Sequence, residues 1–129
     1  MQKVWTAGCV YFALVFGVAF AVGAFRVTVV APRIGDFAAV AVEVPVILAT
    51  AWIVAGRVLA RWPLRVSSRL AMGAIAFALL MLAEFALATL AFGQSGADFA
   101  ARFATPPGLA GLGGQIGFAI LPALRQLRG

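Results

Sequence analysis

The sequence predicts an all-α integral membrane protein, with four transmembrane helices forming two antiparallel hairpins in a single domain over residues 1–129. Three observations predict it. Hydrophobic residues make up 64% of the chain and charged residues 11%. A soluble domain is roughly half apolar and about a quarter charged, and a fold of this length has too little interior to hide the difference from water. Four apolar runs cover about Val4–Ala31, Phe37–Gly56, Leu70–Phe92 and Pro107–Leu124, each long enough for a hydrocarbon core of about 30 Å. Basic residues gather at alternate ends of these runs, as membrane topology requires.

The first span climbs from Trp5 to about Ala31. Pro32 is expected to stop it by biasing Ala31 away from helical angles. Lys3, an apolar stretch and Val22-Gly23-Ala24 are weakly like a signal peptide, but the apolar run continues to Ala31 and is too long for one. Residue 1 onward is therefore expected to be mature chain. Cys9, the single cysteine, reads as a small packing residue. Gly35 and Asp36 complete a turn, with Asp36 as the expected N-cap of the second span. So short a link makes the first two helices antiparallel neighbours.

The second span carries Glu43 and Pro45. Pro45 cannot donate to the carbonyl of Ala41, so the helix is expected to flex there. Arg57, Arg61, Arg65 and Arg69 follow at a spacing of four, interrupted by Pro63. They read as anchors for anionic lipid headgroups, worth about 1 kcal/mol each. The third span has Glu84 as its charge.

The outer loop holds a short amphipathic segment over residues 95–104, expected to lie on the membrane surface. Ser95 and Asp98 have capping-box spacing. Asp98 and Arg102 are four apart, as are Phe99 and Phe103, so each pair shares one face of a helix. The fourth span opens on small residues. Ala110 and Gly114, and Gly113 and Gly117, are spaced by four, which lets helix backbones approach closely. Packing within the bundle is the commoner use of such spacing, and a dimer seam is the sharper one.

Lys3, the arginines from 57 to 69, Arg125 and Arg128 would share one side of four spans. Arg33 and Arg102 fall on the other, offset by Asp36 and Asp98. The positive-inside rule then puts both termini in the cytoplasm. The expected location is a cell membrane of the bacterial inner-membrane type. The net charge of +6 is explained by this topology, and no nucleic-acid partner is expected.

Each span also carries one strong polar side chain at a similar depth: Arg26, Glu43, Glu84 and Gln115 lie about 8–12 Å below the outer ends of their helices. A charge facing lipid costs at least about 2.5–3.5 kcal/mol at mid-span, so these four are expected to face inward and pair. Arg26 can hold one carboxylate with its planar fork, and Glu43 is the nearest. Glu84 is then a second acid in the layer, expected to carry one mobile proton.

Two functional readings follow. One is a small transporter or channel-like protein, proton-coupled through Glu43 and Glu84. The other is a structural or accessory subunit of a larger membrane complex, with the polar layer as a helix clasp. Membrane lipids are the expected partners, together with a second copy of the chain or that larger complex. An enzyme is not expected. The chain has no histidine, no metal-ligand cluster, and no serine or cysteine with a matching base. No metal and no cofactor are expected.

Overall fold

The structure, a computed structural model, describes residues 2–125. Arg128, one of the cations expected above on the cytoplasmic side, lies outside the described residues. Among those residues every regular element is helical. The helices are α1 (Gln2–Ile34), α2 (Asp36–Arg61), α3 (Val66–Ala91), the short α4 (Gly96–Ala101) and α5 (Pro106–Leu124). All but α4 are long and apolar enough to cross a membrane. Their large side chains face outward in numbers that water would not tolerate. Phe20, Phe25, Val27, Leu82 and Leu90 are each more than half exposed, and lipid is the solvent that suits them.

Pro32 does not stop the first helix. Ala31 keeps helical angles, with φ −60° and ψ −40°, and the helix continues to Ile34. The turn before it, Arg26–Val30, widens to a π-helix, with the Ala31 N–H donating to the Arg26 carbonyl. In a regular turn the Pro32 ring would collide with the Thr28 carbonyl, and the wider turn relieves that clash. The break comes at Gly35, whose φ of 89° suits a residue without Cβ. Asp36 is the first residue of α2 rather than its cap, and no side chain caps that end.

The connection between α2 and α3 is shorter than the hydropathy implied. Arg57 and Arg61 sit in the last turns of α2 and Arg69 in the first turn of α3. Hydropathy falls at arginine, but helix propensity does not. Only residues 62–65 separate the two helices.

Each long helix packs against two others: α1 against α2 and α3, and α5 against α2 and α3. The diagonal between α1 and α5 is closed by one buried side chain. Tyr11 stacks on Phe118 with ring centroids 4.5 Å apart, and its hydroxyl donates to the Phe118 carbonyl at 2.6 Å. That carbonyl is four residues before Pro122, which has no N–H to offer it. Tyr11 thus supplies the hydrogen bond that Pro122 removes, and both residues are almost wholly buried.

The core continues from Tyr11 through Ala7, Ala51, Ala55, Leu59 and Met72. These residues fill the half of the molecule nearer Arg57 and Arg69. Small residues let the helices close there. A Cβ on Gly73 would run into the carbonyl of Ala119, and one on Gly8 would come within 2.9 Å of Ile75. Val15, Leu80 and Phe118 form the last filled layer, and beyond it the centre is hollow.

Two outcomes are expected. Tyr11→Phe should lower stability by about 1–3 kcal/mol, because a buried carbonyl is left without a donor. Adding Pro122→Ala should restore part of this, since alanine returns the N–H; thermal unfolding in detergent of both single variants and the double variant measures the coupling. Gly73→Ala should cost about 1–3 kcal/mol by overpacking. Gly113→Ala, where a Cβ meets nothing within 4 Å, should be neutral or slightly stabilising in the same assay.

Candidate functional site

The hollow is a cavity of about 640 Å³. Its floor is the Val15, Leu80 and Phe118 layer, and its rim includes Asp36 and Thr105. Arg26, Glu43, Glu84 and Gln115 all line it. The four residues therefore reach one space, but they do not form a single ring. They divide into two clusters on different walls.

Arg26 and Glu43 make the first cluster. The Arg26 Nε donates to Glu43 Oε1. The two side chains are 28% and 15% exposed, so the pair is shielded from water yet open to the cavity. Arg26 is the first residue of the π-helical turn. The widened turn ahead of Pro32 thus carries one of the site's cations. Gly35 alone joins α1 to α2, which brings Glu43 back against that turn.

Glu84 and Gln115 make the second cluster, with an unforeseen third member. Glu84 Oε1 accepts from Gln115 Nε2 at 2.7 Å and from Arg102 Nη2 at 3.1 Å. Arg102 comes from the segment after α4. Its guanidinium lies over the rings of Phe99 and Phe103, at 4.7 Å and 5.4 Å. Phe99 in turn meets Phe85 of α3 edge-on. The Arg102 backbone is clamped as well. The Thr105 hydroxyl donates to the Arg102 carbonyl at 2.7 Å and accepts from the Gly108 N–H at 3.1 Å. A Cβ on Gly108 would collide with that same carbonyl.

The sequence contained one signal for Arg102. Asp98 could be read as its helical neighbour, but the capping box occupies Asp98 instead. Ser95 Oγ accepts from the Asp98 N–H at 3.0 Å, and the Ser95 N–H donates to Asp98 Oδ2 at 3.1 Å. Arg102 is then left without an acid in its own segment. A layer with two acids and one base lacks one cation, and Arg102 supplies it.

No protein-family model, curated protein or solved structure matches this chain. The chemistry of the site therefore rests on its own geometry. Three acids, Asp36, Glu43 and Glu84, two guanidinium groups and the amides of Gln94 and Gln115 line a space large enough for a small organic molecule.

Other singled-out residues are placed as follows. Pro45 lies inside α2 on its exposed side, two residues beyond Glu43. Gly114 and Gly117 face α2, where a Cβ would come within 3.1 Å of Val44 and 2.9 Å of Leu48. Ala110 is half-buried. Gly113 is exposed, and among the described residues nothing lies within 4 Å of where its Cβ would stand. Arg57, Arg61 and Arg65 are exposed. Arg69 differs from them: it donates to the carbonyls of Leu64 and Arg125 at 3.0 Å and 3.3 Å. Both carbonyls lie just outside helices, where no backbone donor continues the ladder.

Removing one side of an ion pair leaves the other shielded and unbalanced, which costs more than the pair contributes. Arg26→Ala should therefore lower stability by about 1–3 kcal/mol in thermal unfolding, given the partial exposure of the pair. Adding Glu43→Gln should recover most of the loss. Glu84→Gln added instead should recover less, because Glu84 is held by Arg102.

Proposed function

We propose that the protein is a small multi-pass membrane protein of transporter or channel-like type, in which Glu43 and Glu84 exchange protons with a solute held between them. The observation that carries this reading is the cavity itself: both acids line one space of about 640 Å³. Intramembrane ionisable residues that face a cavity commonly mark a substrate or proton route. Two acids within one solute site give proton coupling a physical basis, since each can be neutralised by a proton or by a partner.

The reading includes an orientation. α1 with α2, and α3 with α5, form two antiparallel hairpins with both termini cytoplasmic. The Arg26–Glu43 pair near the Gly35 turn supports the first hairpin, and the Arg102–Glu84–Gln115 cluster supports the second. The cavity then lies in the outer half of a cell membrane, and Arg57, Arg61 and Arg65 meet anionic headgroups on the inner side. The Val15, Leu80 and Phe118 floor closes the cavity towards that side. A full pathway accordingly requires movement of that floor or a second copy of the chain beside the first. No catalytic step is part of this reading.

One observation favours a different function. Each acid of the two clusters already has a cationic partner within the chain. That is what a helix clasp requires, and an accessory subunit of a larger membrane complex could be built this way. Proton uptake by reconstituted vesicles separates the two. In the transport reading, Glu43→Gln and Glu84→Gln each lower the initial uptake rate by about tenfold or more, equivalent to ~1.4 kcal/mol in the barrier. Equal uptake by wild type and both variants, with folding intact, leaves the clasp.

A further inference from the structure

All four side-chain carboxylates of the chain belong to the hollow half. Asp36, Glu43 and Glu84 line the cavity, and Asp98 is held in the capping box of α4. The opposite end carries Arg57, Arg61, Arg65, Arg69 and Arg125, and no side-chain acid balances them there. Arg57, Arg61 and Arg65 are exposed, each on a long, flexible stem. Arg125 differs from them because its surroundings fix it. Its backbone N–H donates to the Leu121 carbonyl at 2.7 Å, and its carbonyl accepts from Arg69 Nη1 at 3.3 Å. Its side chain crosses to α2. There Nε donates to the Trp52 carbonyl at 3.2 Å, and the guanidinium lies 4.7 Å from the centre of the Trp52 ring. Gly56 makes room for it, since a Cβ at that position would run into Nη2. Nη1 and Nη2 keep four N–H donors. Among the described residues nothing in the chain bonds them, and neither nitrogen is enclosed.

The depth of this guanidinium decides what can balance it. α2 ends at Arg61, so Gly56 and Trp52 lie about 8 Å and 14 Å back along the helix. The 26 residues of α2 measure about 39 Å, against a hydrocarbon core of about 30 Å. With the excess shared between its two ends, Trp52 and Gly56 fall at the edge of the hydrocarbon. An arginine there, without an acid, calls for an anion that reaches the same level. The phosphate of a phospholipid stands at that boundary, and a dissolved anion does not enter it. We propose that Arg125, seated on Trp52 and Gly56 where the end of α5 meets α2, holds the phosphate of one anionic phospholipid. The planar fork offers paired N–H groups to two phosphate oxygens. Trp52 and Ile53, 41% and 56% exposed, give the acyl chains an apolar surface. A choline or ethanolamine lipid carries the same phosphate, but its own cation would be set among arginines. A lipid with net negative charge avoids that cost. The proposal requires only that the helices cross a bilayer, and it is independent of what the cavity holds.

Lipid retention by the full chain tests this. The protein is reconstituted in vesicles of phosphatidylcholine and phosphatidylglycerol in equal amounts and extracted in mild detergent. Mass spectrometry then measures the lipid that stays bound. Phosphatidylglycerol is expected to exceed phosphatidylcholine at least about fivefold, equivalent to ~1 kcal/mol. Arg125→Gln should reduce that ratio to about twofold or less. Arg61→Gln combined with Arg65→Gln removes two charges and should reduce it by less than Arg125→Gln does. Excess inorganic phosphate during extraction should leave the bound lipid in place. Thermal unfolding in phosphatidylcholine reports the fold of each variant, and the wild-type ratio is a test whether or not the variants fold. Equal retention of the two lipids by the wild-type chain would overturn the proposal. A larger loss in the double variant than in Arg125→Gln would assign the preference to diffuse surface charge and overturn the site at Arg125. Displacement of the lipid by inorganic phosphate would assign the guanidinium to a dissolved anion and overturn it as well.

Discussion

A charged side chain in hydrocarbon must find its counter-charge within the protein, and most of this structure follows from that demand. Arg26 and Glu43 are close because α1 and α2 are joined by one residue. Glu84 has no such neighbour in sequence. Its partners come from the connection after α4 and from α5, so meeting its charge draws the second half of the chain together. The two clusters then stand on different walls of one cavity, whose charged groups resist being packed over with apolar side chains.

The filled and hollow halves divide the physical tasks. On one side of the Val15, Leu80 and Phe118 layer, alanines and glycines bring helix backbones together, and Tyr11 repairs the hydrogen bond that Pro122 removes. On the other side, prolines and wide turns hold helices in shapes that leave room. The π-helical turn at Arg26–Val30 and its counterpart at Leu87–Ala91 both lie at the hollow end. Such turns rotate the residues beyond them relative to a regular helix, which changes the direction in which each helix continues towards the rim.

Hydropathy and length made the four long helices legible, and depth along each helix made Arg26, Glu43, Glu84 and Gln115 legible as one level. Details decided by tertiary context were not. Pro32 reads as a stop, and only the neighbouring turn shows that the backbone can widen around it. Arg57, Arg61 and Arg69 read as loop because hydropathy ignores helix propensity. Arg102 was hidden by Asp98, a nearer acid in sequence that the capping box occupies. The contact between Gly73 and Ala119 depends on how two helices are rotated about their axes, and no spacing rule carries that information.

The two clusters differ in how they are tethered. Arg26 and Glu43 sit on rigid helices hinged at the single residue Gly35, so separating them means prying two long rods apart. Arg102 hangs from the lighter stretch between α3 and α5, held by aromatic stacking and the Thr105 clamp. Displacing it requires moving only that stretch. The two acids are thus secured by unlike means: Glu43 by a pair of long helices, and Glu84 by a short connecting segment whose own anchorage decides whether its cation stays in place.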